Sequence, residues 1–416
     1  MSRFALPLLF ALSLSACNKT ETPQPAAPAE PAAAAPAAPA APAAPAAGQA
    51  LPVPDELARK AQDVADKATA LTDTEAPALT PAQYEQLLLG LASCKVTDTG
   101  HIDGACPALK EFDQARRAKT ALKDLAGMMG PLGKKHIGHE SAAVRVKAAQ
   151  LMGSMFGADA GTQQVILEAI AKEAEPAVLR AMIEVVGSKG KSNPEVGKML
   201  LAQADHPSPV VRKAALNWLT TSFNQGLPGG VEKLIAKIEG DPDPDVKRFA
   251  CEYAGKLADD KLLKVYDKLT ANAKDAKLYS ACMQGLAQMW VSFPFFENAN
   301  QKAYELTLKR LAAKPRSQDL PPWILMDNFK HLGQDSDKVK AWKAKATWYK
   351  QEKLLAVLQQ VIEDPQANWM ARNGGIESLL GLGAPKATFE AMLTKCGDKC
   401  DTNIKRKLTE AVAKAK

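Results

Sequence analysis

Three stretches carry residue types at spacings that could do chemistry. His136, His139 and Glu140 offer two imidazoles and a carboxylate, good donors for a metal, and His136-Ile137-Gly138-His139 also spells a nucleotide-handling signature. Gly190-Lys191-Ser192 ends like a phosphate-binding loop. Asp241, Asp243, Asp245 and Glu252 fall at positions one, three, five and twelve of a calcium loop. Each lacks a part that its chemistry requires. The nucleotide signature works from a sheet, whereas this one sits among helical runs, and Gly138 leaves the imidazoles unconstrained. Val185 stands where the phosphate loop needs its first glycine, and Val246 where the calcium loop needs its sharp-turn glycine. Loop, turn and helix-capping roles are therefore expected, and no metal is assigned.

The wider inventory points the same way. The five histidines lie singly or in that one loop, so general acid–base work has no seat. The sequence carries no serine nucleophile elbow, no His–Glu metalloprotease pair and no cofactor glycine fingerprint. No catalytic residue, cofactor or small-molecule substrate is assigned, and the chain is expected not to be an enzyme; a spatial pair of carboxylates would be invisible at this level. Fifty-three Lys and Arg against 46 Asp and Glu give a net charge of +7 spread along the chain, without the basic blocks that mark a nucleic-acid partner.

The candidate binding surface is aromatic and basic. Trp290, Phe293, Phe295 and Phe296 are followed by Trp323, Trp342, Trp348 and Tyr349, with Lys343, Lys345 and Lys350 interleaved. Such a set could dock a protein or stack on sugars and polyanions. At helical spacing the same residues also suit the core.

The elements that must position these residues are helices. At 416 residues the chain is too long for one core, and 46% hydrophobic content is ample for folding. From about residue 55 apolar residues recur at three and four: Leu57, Ala61, Val64, Ala68 and Leu71 line one helix, and Thr80-Pro81 opens a second. The body is self-similar. Ser141 to Ala149, Glu175 to Met182, Ser208 to Ala215 and Asp243 to Ala250 each read polar start, Val, then a basic residue and small residues, Leu179 replacing the base in the second. Val144, Val178, Val211 and Val246 lie 34, 33 and 35 residues apart. Second helices over 164–171, 196–204, 231–238 and 262–269 complete the units, so helical pairs should stack into an all-α solenoid.

This pattern resembles the HEAT and HEAT-like repeats over roughly residues 135 to 395, with Leu278 and Cys282 in a fifth unit and looser units at 321–324 and 364–382. In that family the basic residue after the Val lines up with acids of adjacent repeats. Arg145 and Arg212 match that position, Lys247 half matches, and Leu179 departs. The resemblance implies an extended helical surface for partners; some HEAT-like proteins are bilin lyases, which keeps an enzyme accessory as a remote alternative.

The N-terminus supplies an address. Arg3, an apolar run from Phe4 to Leu14, and Ser15-Ala16 form an export signal too short to span a bilayer. Leu14-Ser15-Ala16-Cys17 resembles the lipobox of bacterial lipoproteins, which implies lipidation at Cys17; Asn18, not being Asp, implies the outer membrane, facing periplasm or cell surface. Residues 20 to 54 are mostly Ala and Pro and should form a disordered tether reaching on the order of 100 Å. Six cysteines remain. They allow fifteen pairings, of which proximity favours Cys94 with Cys106 and Cys396 with Cys400, leaving Cys251 and Cys282; free buried thiols are the alternative. The organisation is thus signal peptide 1–16, lipidated Cys and linker 17–54, helical region with disulfide loop 55–130, solenoid 131–395 and capping helix 396–416. The expected role is a membrane-anchored scaffold for unidentified envelope proteins, or alternatively a cell-wall or polyanion binder.

Overall fold

The structure is a computed structural model describing residues 79–117, 125–156, 160–271, 275–293, 295–313, 328–397 and 400–415. All of these lie within the unit Ala44–Lys416. The export signal, Cys17, the tether, the helix expected over 57–71 and Trp323 lie outside the described residues.

Helices in chain order are α1 (Pro81–Gly90), α2 (Pro107–Arg117), α3 (Leu125–His136), α4 (Ala142–Phe156), α5 (Ala160–Lys172) and α6 (Pro176–Val186). There follow α7 (Pro194–Gln203), α8 (Pro209–Leu219), α9 (Gly230–Gly240), α10 (Pro244–Ala254), α11 (Lys261–Ala271) and α12 (Ala276–Gln288). The last are α13 (Gln301–Ala312), α14 (Asp337–Lys345), α15 (Gln351–Glu363), α16 (Trp369–Gly381), α17 (Lys386–Cys396) and α18 (Thr402–Lys414).

Proline after a polar residue starts many of them, because it lacks the amide that a first turn cannot pair and its φ is already helical. Thr80 and Gln83 form a reciprocal capping box on α1. Asn193 and Asp243 each accept from two first-turn amides of α7 and α10. The division drawn at 130/131 falls inside α3, which runs through Pro131 without a break.

The pairs stack in two layers. Helices α4, α6, α8, α10 and α12 pack successively against one another, with α3, α5 and α7 and then α9, α11 and α13 forming the second layer. The pattern continues through α15, α16 and α18. The fold is an all-α solenoid of stacked helix pairs; among the described residues the one β feature is an isolated bridge between Val96 and Ile102. First-layer helices have neighbours on several sides, so α12 is buried from Ala281 through Gln288.

Small residues set the closest crossing. Gly255 lies so near Gly285 that a Cβ on it would run into the Gly285 carbonyl. Beside this contact Cys251 and Cys282 are joined by a disulfide, with Cα atoms 4.9 Å apart, linking α10 to α12. Disulfides also join Cys94 to Cys106 and Cys396 to Cys400.

The layering creates two edges. Loops entering first-layer helices (137–141, 173–175, 204–208, 241–243, 364–368, and 397 with 400–401) form an entry edge. Loops leaving them (187–193, 220–229, 255–260, 289–293 and 295–300) form an exit edge.

Candidate docking site

On the entry edge two arginines brace neighbouring units. Arg145 opens α4 and reaches into the next entry loop: Nε and Nη2 donate to Glu173 at 2.7 and 3.1 Å, and Nη2 also to Glu175 at 3.0 Å. Its Nη1 caps the carbonyls of His139 and Glu140. Arg212 repeats the arrangement on α8, with Nε and Nη2 on Asp241 at 2.9 and 2.7 Å and Nη1 on the carbonyls of His206 and Pro207. The parallel extends to the histidines, since His139 and His206 each accept the amide of the serine two residues on, at 3.0 Å. Burial lowers the pKa of both imidazoles, with Arg212 adding to the effect at His206 and His136 at His139. The expected alignment of Arg145 and Arg212 with acids of the next unit is thus present. At the equivalent positions between and after them, Leu179 is buried and Lys247 makes no ion pair among the described residues.

Asp241 corrects one expectation. The capping role expected of both acids is met by Asp243, which caps α10, whereas the Asp241 side chain is 0% exposed and holds Arg212. The signal that could have found it is the offset: Asp241 precedes its helix cap by two, as Glu173 precedes Glu175.

On the exit edge asparagines do the bracing. Asn224 donates to the carbonyls of Gly187 in the preceding exit loop and of Trp218 in α8, the helix its loop leaves, and accepts from the Lys191 amide. Asn298 likewise donates to the carbonyls of Lys256 and Gln288, both at 2.9 Å. Exit loops differ in length, so these two residues show no sequence period.

The aromatic and basic set divides, and most of it is core. Trp342 is 1% exposed and Trp290 is fully buried. The Trp342 indole donates to the carbonyls of Trp290 and Asn298, and Trp290 to Thr307, so neither needs water. Trp348 and Tyr349 are half-buried, edge-on to Trp342 at 6.1 and 5.1 Å between ring centres. These rings pack on one another between α12–α13 and α14–α15. Lys343 and Lys345 are exposed, and Lys345 donates to the Glu297 carbonyl. The expected surface of Trp342, Trp348, Tyr349, Lys343 and Lys345 therefore does not assemble as one face.

What the surface does present lies largely on the exit edge. Phe223 is 63% exposed, Phe295 62% and Phe293 41%. The loop carrying the last two is held from within: Ser292 Oγ accepts the amides of Glu297 and Asn298, and Phe296 turns inward through a positive φ of 56°. Phe293 stacks on His331 at 3.8 Å, and Lys338 lies over Phe295. On the entry edge Trp369 and Met370 are also exposed.

Cavities open on the same molecule. One of about 540 Å³ is lined by His139, Arg145, Lys172, Glu173 and Met182. Another of about 710 Å³ is lined by Trp369, Arg372, Lys395, Asp401 and the Cys396–Cys400 pair. A third, about 570 Å³, lies under the Cys94–Cys106 loop and holds His101, Gln150, Arg180 and Glu184, whose carboxyl is pushed up by burial. Among the described residues no group of three or more His, Cys, Asp or Glu side chains is placed to hold a metal ion.

The family described as HEAT repeats matches residues 197–287, from α7 to α12. No curated protein is similar in sequence. Among solved structures, an engineered protein is 13% identical with a TM-score of 0.35, covering 85% of this chain and 88% of its own. The karyopherin Kap121p bound to the extreme C-terminus of the protein phosphatase Cdc14p is 14% identical with a TM-score of 0.45, covering 87% of this chain. This chain spans 40% of that karyopherin. A microtubule polymerase with an array of Tumor Overexpressed Gene domains is 11% identical with a TM-score of 0.26, covering 88% of this chain and 98% of its own.

Proposed function

We propose that the chain is a non-catalytic helical-repeat scaffold, exported and lipid-anchored through Cys17, that holds protein partners in a bacterial cell envelope. The observation that carries the protein-binding part is the exit edge. Exposed phenylalanines at 223, 293 and 295 stand on loops that Asn224, Ser292 and Asn298 hold rigid. Exposed aromatics on a pre-ordered backbone lose little entropy on docking and suit a protein interface.

The address rests on different residues. Leu14 to Cys17 supplies the anchor, and disulfides at all six cysteines after it suit an oxidising compartment. An Ala/Pro tether would raise the local concentration of the solenoid at the membrane surface.

The test is crosslinking in intact cells followed by affinity purification, with the native chain, Cys17→Ser and a deletion of residues 20–54. A near-stoichiometric protein partner that both changes diminish supports the scaffold. Recovery of only cell-wall or lipid material overturns it in favour of a polymer binder.

A further inference from the structure

The two arginine braces are alike, but the spaces beside them are not. Counted back from Pro176 and Pro244, Glu173 matches Asp241, Ala169 matches Lys237 and Val165 matches Lys233. In the preceding entry loops Gly138 and Asp205 each stand just before the matched histidines, His139 and His206.

Beside Arg212 the chain fills the space itself. The Lys237 ammonium lies 2.9 Å from Asp205 and 3.5 Å from Asp241, its side chain is 14% exposed, and Lys233 pairs with Asp205 as well. Three acids, Asp205, Asp241 and Asp243, are matched there by three cations, Arg212, Lys233 and Lys237.

Beside Arg145 both lysines are gone. Val165 and Ala169 are too short to fill their place, and the cavity of about 540 Å³ is the result. Its apolar wall is Ile137, Val165, Ala169 and the buried Met182. Four carboxylates line it, those of Glu140, Glu168, Glu173 and Glu175, against two cations, Arg145 and the exposed Lys172. Burial lowers the pKa of His139, which therefore adds no charge at neutral pH. Glu173 is occupied by Arg145 and by the amides of Ala174 and Glu175. Glu175 is less so: it does not cap its helix, and only its Oε1 is engaged, by Arg145. Among the described residues its Oε2 accepts no hydrogen bond, and Lys172 pairs with none of the four acids.

We propose that this cavity is a socket for a lysine side chain of a protein partner, whose ammonium takes beside Glu173 and Glu175 the place that Lys237 takes beside Asp241. Its methylene stem packs on Val165, Ala169 and Met182, leaving the charged end with the acids. The inference rests on the reading of the chain as a protein-binding scaffold and names the chemistry of one partner. The matched interface shows that this architecture accepts an ammonium at that point, and the excess of carboxylate, partly withdrawn from water, is neutralised on docking.

The test uses the oxidised full chain carrying methyl-labelled methionine, read by NMR, with the Met182 signal assigned through Met182→Leu. Two blocked pentapeptides are titrated, acetyl-Ala-Leu-Lys-Leu-Ala-amide and a counterpart with norleucine for lysine, which keeps the stem and lacks the ammonium. The lysine peptide should shift the Met182 methyl saturably, and the norleucine peptide should bind at least tenfold more weakly. Glu175→Gln should weaken the lysine peptide several-fold. Ala169→Lys returns the missing lysine without removing a buried charge; it should melt at or above the parent temperature and bind the lysine peptide at least tenfold more weakly. Equal binding of the two peptides, no saturable shift up to the solubility limit, or undiminished binding by Ala169→Lys overturns the proposal. Capture of a cellular partner that is indifferent to Ala169→Lys would leave the scaffold standing and remove this site; peptide binding without any cellular protein partner would do the reverse.

Discussion

Arg145 and Arg212 stand at the same position two units apart, while the position between them holds the buried, uncharged Leu179. The consequence is a solenoid braced alternately on its two edges. Arg145 joins the first unit to the second and Arg212 the third to the fourth; Asn224 joins the second to the third and Asn298 the fourth to the fifth. Stability in such an array is shared between neighbours, so each brace guards one interface.

Arg212→Ala should destabilise the chain by about 3 kcal/mol, the cost of leaving Asp241 buried with Lys237 at 3.5 Å and the Asp243 amide at 3.0 Å as its remaining partners. Hydrogen exchange should show the loss centred on α8 and α10. Lys261→Ala, which breaks an exposed pair with Glu232, should leave the urea midpoint where it is.

Acid should act through the same pair. Burial pushes the Asp241 carboxyl up, but the Arg212 hydrogen bond and charge outweigh it and hold the group below its usual 3.8. A carboxyl with a depressed folded pKa binds fewer protons folded than unfolded above that value. Its contribution is therefore complete above pH 3.8 and lost as pH falls through the lower folded value. Urea midpoints measured from neutral pH downward should hold to near that point and then drop, and Asp241→Asn should flatten the drop.

The disulfides should rank by the loops they close. Separations of 31, 12 and 4 residues give roughly 4, 3 and 2 kcal/mol in the chain-entropy estimate, so Cys251→Ala with Cys282→Ala should cost more than losing either of the other bridges. Thermal melts of the paired alanine variants check the order.

Gly255→Ala should be at least as damaging, because its new methyl meets the Gly285 backbone, which has nowhere to move. Gly138→Ala, where a Cβ meets nothing within 4 Å, is the matched control and should be silent in the same melt.

Helix starts were the most legible part of the fold. An acceptor followed by Pro176, Pro194, Pro209 or Pro244 fixes the first turn locally, and the Val period fixes the stacking. The braces were half legible: Arg145 and Arg212 show in the repeat, but their acids lie 28 to 30 residues on, in loops whose register only packing defines. The aromatic set misled because Lys343 and Lys345 flank Trp342 in sequence yet point elsewhere. Val339, Trp342 and Ala346 were the better guide, a stripe at three and four that is buried throughout.

The most direct measurement is site-specific photocrosslinking in intact cells from Phe223 and Phe295 on the exit edge, with Lys264 on the second layer as reference. The scaffold account predicts that one and the same protein is captured from both phenylalanine positions and not from Lys264. Capture of different or no proteins from the two positions, or equal capture from Lys264, would contradict it.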